Sequence, residues 1–257
     1  MNVLALTDLL GLLLLGAGLG FFGGLFGIGG GIIAIPVLAL AFGMEQALAQ
    51  GTSLAMMVPI LLVGWWRYQR RHPAPGRSAW QLALSASLTT WLVARLATGL
   101  DPALLRTGFG VFLLFLALHL LRPRHRPTGS PPPAGPDSRW LPAVGVIGGA
   151  CMGFLGVGAG LVATPLLTRL FGLRQTVAQS LSLALVTPSA VVALLTYSQA
   201  GRVDGSMGLP LAIGGLCTVS AGVSWAHRLP ERQMQAAFAW MILLTAGWLL
   251  LKPLFIP

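Results

Sequence analysis

Residues 21–36 read Phe-Phe-Gly-Gly-Leu-Phe-Gly-Ile-Gly-Gly-Gly-Ile-Ile-Ala-Ile-Pro, an apolar run that glycine interrupts in mid-course. Glycine costs about 1 kcal/mol relative to alanine at each interior helical position, so Gly27, Gly29, Gly30 and Gly31 break a helix here. The break recurs. A shift of 129 positions carries Pro36 onto Pro165 and lays residues 20–59 over 149–188 without a gap; 17 of the 40 positions are identical. Among them are Gly27/Gly156, Gly29/Gly158, Gly31/Gly160, Pro36/Pro165, Gln50/Gln179, Ser53/Ser182 and Pro59/Pro188. Helices broken at matching places in the two halves of a duplicated apolar chain point to a transporter binding site.

Hydrophobic residues make up 55% of the chain and charged ones only 9%, against about 25% charged in a soluble domain, which places the protein in a bilayer. In a soluble protein the net charge of +10 would suggest nucleic acid, but the arginines cluster at the ends of apolar segments. Positive-inside topology accounts for them, and no nucleic-acid partner is expected. Cys151 and Cys217 lack metal-ligand spacing, so neither a disulfide nor a metal site is expected, and nothing calls for a cofactor. Asp8, with no basic residue ahead of the first apolar run, argues against a cleaved signal peptide.

The expected fold is an all-α polytopic membrane protein built from two inverted repeats of about five helical segments each, 8–10 in total, with half-helices at the glycine-rich motifs. The first repeat is residues 1–121, with segments at 3–26, 28–42 (a half-helix), 46–66, 78–100 and 102–121. Residues 122–139, rich in proline and arginine, read as a cytoplasmic linker. The second repeat, 140–257, has segments at 140–155, 159–171 (a half-helix), 175–199, 208–226 and 230–251. A basic loop of Arg67, Arg70, Arg71, His72 and Arg77 falls on the cytoplasmic side with the linker, as do Arg174, Arg228 and Arg232. Glu45 and the Arg202/Asp204 turn then fall outside, with both termini, so the halves come out inverted.

The run Gly-Leu-Phe-Gly-Ile-Gly-Gly-Gly-x-x-x-x-Pro at residues 24–36, followed by Ala49-Gln50-Gly51-Thr52-Ser53-Leu54 and repeated in degenerate form, resembles the sulfite exporter TauE/SafE family. The resemblance extends over essentially the whole chain through the duplication. It implies a multi-pass protein of the cell inner membrane that exports or imports sulfite, sulfonates such as sulfoacetate, or related small anions. The second copy departs from the first at Ala159, which replaces Gly30, and at Ser180-Leu181-Ser182, which replaces Gly51-Thr52-Ser53.

The glycine breaks suit such an anion. Unpaired N–H groups at the start of a half-helix, with a dipole equivalent to about half a positive charge, attract an oxyanion, and glycine lets it approach the backbone. Gly29, Gly30 and Gly31, with Gly158, Ala159 and Gly160, are therefore candidate substrate contacts; close helix packing is the competing reading. Gln50, Thr52 and Ser53, with Gln179, Ser180 and Ser182, begin the following segments and could donate to the anion or bond between helices. Gln46 and Gln175 fall one turn nearer the mouth. Arg95 reads as a snorkelling residue near Asp101, with Arg169 treated alike, and His119 reads as interfacial.

The six acidic residues all avoid mid-span positions, so a buried carboxylate for coupling is not expected; coupling to a proton or cation stays open. The glycines lack the following Lys-Ser/Thr of a P-loop, and the serines have no basic partner at hydrocarbon depth, so no catalytic residue and no enzyme is expected. The sequence reading is a secondary transporter of small sulfur-containing anions, working as an exporter by alternating access, with the bilayer and the anion as partners. An anion channel, a membrane scaffold and a transporter of another small anion are the alternatives.

Overall fold

Apolar segments of about 20 residues must satisfy their backbone internally in lipid, and all the described residues of the chain fold into helices and short connections. The computed structural model describes residues 6–26, 29–71, 76–121, 140–173, 175–226 and 239–249. The helices are α1 (Leu6–Phe26), α2 (Gly31–Ala41), α3 (Gln46–Arg71), α4 (Gly76–Thr98), α5 (Pro102–Leu121), α6 (Leu141–Leu155), α7 (Ala159–Arg169), α8 (Gln175–Gln199), α9 (Gly205–Ala226) and α10 (Ala239–Leu249). The linker at 122–139, Gly27, His72, Arg174, Arg228 and Arg232 lie outside the described residues, as do the side chains of His119 and Arg169.

The end of α3 and the start of α9 differ from expectation. Arg67, Arg70 and Arg71 continue α3 instead of forming a loop. Arginine is a good helix former, and its charge favours the negative end of the dipole; the Arg70 guanidinium lies 3.9 Å from the Trp66 ring centre. Helix α9 starts at Gly205 instead of residue 208 because Asp204 caps it, its Oδ1 accepting the Ser206 N–H at 2.9 Å and the Met207 N–H at 3.3 Å. Asp101 caps α5 the same way, accepting the Ala103 N–H at 2.7 Å.

Helices α2 and α7 have 11 residues each, about 16 Å at 1.5 Å per residue, roughly half the hydrocarbon thickness. Helical stretches in α1, α3, α8 and α9 are long and apolar enough to cross a membrane. Helix α4 is long enough but carries several hydroxyls, which bond within the protein: Ser85 donates to the Gln81 carbonyl, Thr89 to that of Ser85 and Thr90 to that of Gly149. Large apolar side chains such as Leu14, Leu88, Phe115 and Leu244 face outward, while the interior holds many alanines and close glycine contacts. That is the arrangement of a multi-pass membrane protein, in which lipid solvates leucine as well as a core does.

The helices pack across the halves, and they do so twice by the same rule. A methyl group on Gly16 or Gly20 of α1 would strike the backbone of Leu211 or Gly215 on α9. One on Gly145 or Gly149 of α6 would strike that of Leu82 or Ala86 on α4. The same shift of 129 relates each contact to its counterpart. At the centre α3 and α8, equivalent in sequence, lie side by side in opposite directions: the start of α3 meets the end of α8 at Gln50 and Tyr197, and the start of α8 meets the end of α3 at Ser180 and Gln69.

Candidate functional site

Each half-helix begins at a glycine that no L-residue with a side chain fits comfortably. Gly30, the N-cap of α2, has φ 80°, and Gly158, the N-cap of α7, has φ 96°; neither helix has a side-chain cap. The first N–H groups of a helix lack intrahelical partners, and among the described residues no side chain takes them. The glycine turn also recurs at the far end of each half-helix, at Gly43 with φ 65° and Gly172 with φ 61°, again 129 positions apart.

The two breaks come together against α3. A methyl group built on Gly31 would strike Met57 Sδ and lie 3.0 Å from Val157 Cγ2 and 3.4 Å from Ser53 Oγ, and one on Gly156 would lie 3.1 Å from Gln50 Cβ. Ser182 stands to Gly160 as Ser53 stands to Gly31, with Oγ again 3.4 Å from the built position. Gln50 and Ser53 are both fully buried, and neither Gln50 Nε2 nor Ser53 Oγ has a hydrogen-bond partner among the described residues. A buried donor without a partner costs about 1–3 kcal/mol, so two of them beside uncapped helix starts make a surface suited to an acceptor-rich ligand. Gln46 extends this face of α3 by one turn and is likewise buried, with both amide atoms unpartnered. It lines a cavity of about 430 Å³ together with Glu45, Asp101 and Arg106.

The remaining candidates make other contacts. Gly29 stands against Met57 and Leu61, Gly30 against Leu19 and Met56, and Gly158 against Phe112. Ala159 is buried in the core. Thr52 Oγ1 turns away to accept the Asp204 N–H at 3.0 Å, and Ser180 Oγ is 3.4 Å from Gln69 Oε1. Ser182 Oγ reaches the Gly160 carbonyl at 3.5 Å. Gln179 is exposed, in contrast to Gln50. Arg95 lies on the outer surface with its guanidinium 4.7 Å from the Trp91 ring centre.

Residues not singled out from the sequence complete the site. Tyr197 is fully buried, and its hydroxyl lies 2.9 Å from Gln50 Oε1 and 3.1 Å from the Gly153 carbonyl oxygen. A sequence signal existed: the chain has only two tyrosines, Tyr68 and Tyr197, exactly one repeat shift apart. Arg202, on the α8–α9 turn, pairs with Glu45 at 2.6 Å.

Known proteins resemble the chain over most of its length. A probable membrane transporter protein of Xylella fastidiosa is 27% identical over 218 residues, covering 81% of each chain. One of Methanocaldococcus jannaschii is 25% identical over 214 residues, 79% of each chain. One of Haemophilus influenzae is 25% identical over 268 residues, 96% of this chain and 99% of its own. No solved structure matches the chain. The family model for the sulfite exporter TauE/SafE matches residues 12–249, nearly the whole length, and the chain therefore belongs to that family.

Proposed function

We propose that the protein is a secondary transporter of small sulfur-containing anions, such as sulfite, sulfoacetate or related organosulfonates, exporting them across the cell inner membrane. The anion is held where the N-termini of α2 and α7 approach α3. Gln50 Nε2 and Ser53 Oγ donate to its oxygens, with Ser182 serving from the second repeat. The observation that carries this reading is the pair of buried, unpartnered donors beside two uncapped half-helices. Neutral donors and helix dipoles stabilise an oxyanion without a buried countercharge, and weakly enough for release.

The opposed run of α3 and α8 supports inverted repeats, and the cross-packing of α1 with α9 and α4 with α6 supports a movement in which these two pairs rock about the central α3 and α8. No step of this cycle calls for catalysis. When the end bearing Gln46 is open, entry follows the α3 face from the cavity at Gln46 inward to Gln50 and Ser53. The test is counterflow in proteoliposomes preloaded with unlabelled sulfite: saturable accumulation of labelled sulfite supports carrier transport. Flux that does not saturate indicates a channel, and no flux in folded protein indicates a scaffold or another solute.

A further inference from the structure

The cluster that closes one end of the site has a counterpart in the sequence one repeat shift away. Its members are Tyr197, Gln50 and Gly153. The repeat shift turns them into Tyr68, Gln179 and Gly24, so all three residue types recur although fewer than half the positions in the aligned stretch match. In the structure Tyr197 holds Gln50 and both are fully buried, whereas Gln179 is exposed. The neighbouring contact of Ser180 with Gln69 shows that the start of α8 already runs beside the turn of α3 that bears Tyr68.

We propose that Tyr197 and Tyr68 are paired positioning residues, each holding its glutamine in one of two alternating states. This rests on the reading of Gln50 as an anion ligand. With its carbonyl held by the Tyr197 hydroxyl, the Gln50 amide is fixed with Nε2 buried and without a hydrogen-bond partner among the described residues. Without the hydroxyl the amide is free to turn its oxygen toward the anion, which opposes binding. The same bond closes the Gln50 end, where the Thr52 hydroxyl meets the Asp204 N–H and Glu45 meets Arg202. Exchanging the conformations of the two repeats buries Gln179 against Tyr68, releases Gln50 and opens this end.

The test needs no substrate, so it fails independently of the anion reading. Thiol labelling rates are measured on purified full-length protein with Cys151→Ser and Cys217→Ser, using Ala49→Cys as a reporter beside Gln50 and Val177→Cys as one beside Gln179. Ala49 is fully buried in this state. Tyr197→Phe is expected to speed labelling at Ala49→Cys by about fivefold, the population shift that one hydrogen bond supports, and to slow it at Val177→Cys. Tyr68→Phe is expected to do the reverse. Gln50→Met, which keeps the length and loses the amide, should reproduce Tyr197→Phe. Rates unchanged within twofold, or tyrosine variants that move both reporters in the same direction, would overturn the proposal, because a purely structural tyrosine has no reason to act with opposite sign at the two ends.

Discussion

Ser53 is a serine that the folded protein does not use for its own stability. Its hydroxyl is fully buried and without a partner among the described residues, so the ligand-free protein bears a desolvation cost that Ser53→Ala removes. Ser53→Ala is therefore expected to stabilise the protein by about 1 kcal/mol in thermal unfolding while weakening anion binding; a loss of stability would mean the hydroxyl has a structural partner. Thr52 behaves oppositely, because its oxygen accepts the Asp204 N–H and closes the α8–α9 turn onto α3. Sequence places both residues in one motif and cannot separate them, since which face of α3 meets the break depends on the crossing with α8. The same limit hid Tyr197. Its partner is 147 positions away, and only the repeat shift, applied to the chain's two tyrosines, would have singled it out.

At the level of helices, close approach rests on backbone meeting backbone. A side chain on Gly149 would enter the space of Ala86 on α4, and one on Gly20 that of Gly215 on α9. Gly149→Leu should force α4 and α6 apart and destabilise the protein by roughly 1–3 kcal/mol, read as a lowered unfolding temperature, whereas Gly18→Leu, with open space around it, should not. The segments themselves were legible in the sequence because apolar length and glycine breaks set them; 102–121 and 175–199 coincide with α5 and α8. Their ends were less so. Residues 67–71 continue the helix because arginine tolerates it, and α9 begins early because Asp204 caps it. The Glu45–Arg202 pair is about one-third exposed on both sides, so Glu45→Gln should cost less than about 1 kcal/mol, and the loss should shrink further at high salt in thermal unfolding.

The whole molecule is interlaced, and that could not be read from the duplication alone. Equivalent segments announce two repeats, yet either separate halves or exchanged helices would satisfy the same sequence. The pairing of α1 with α9 and of α4 with α6 puts the main contacts of each half on the other. Residues 1–121 and 140–257 produced separately should each be protease-sensitive, and should become resistant together when co-expressed; independent resistance of either half would show that the exchange is dispensable. Two half-helix starts meet two donors without partners among the described residues, and the proposed function stands on their meeting. The most direct measurement is isothermal titration of sulfite, sulfoacetate, thiosulfate and sulfate into the purified protein, with Gln50→Ala and Ser53→Ala beside the wild type. The account predicts selective binding of one of these anions, weakened about tenfold by either substitution, in line with a hydrogen bond to a charged group. Folded protein that binds none of them, or binds one equally well in both variants, would contradict it.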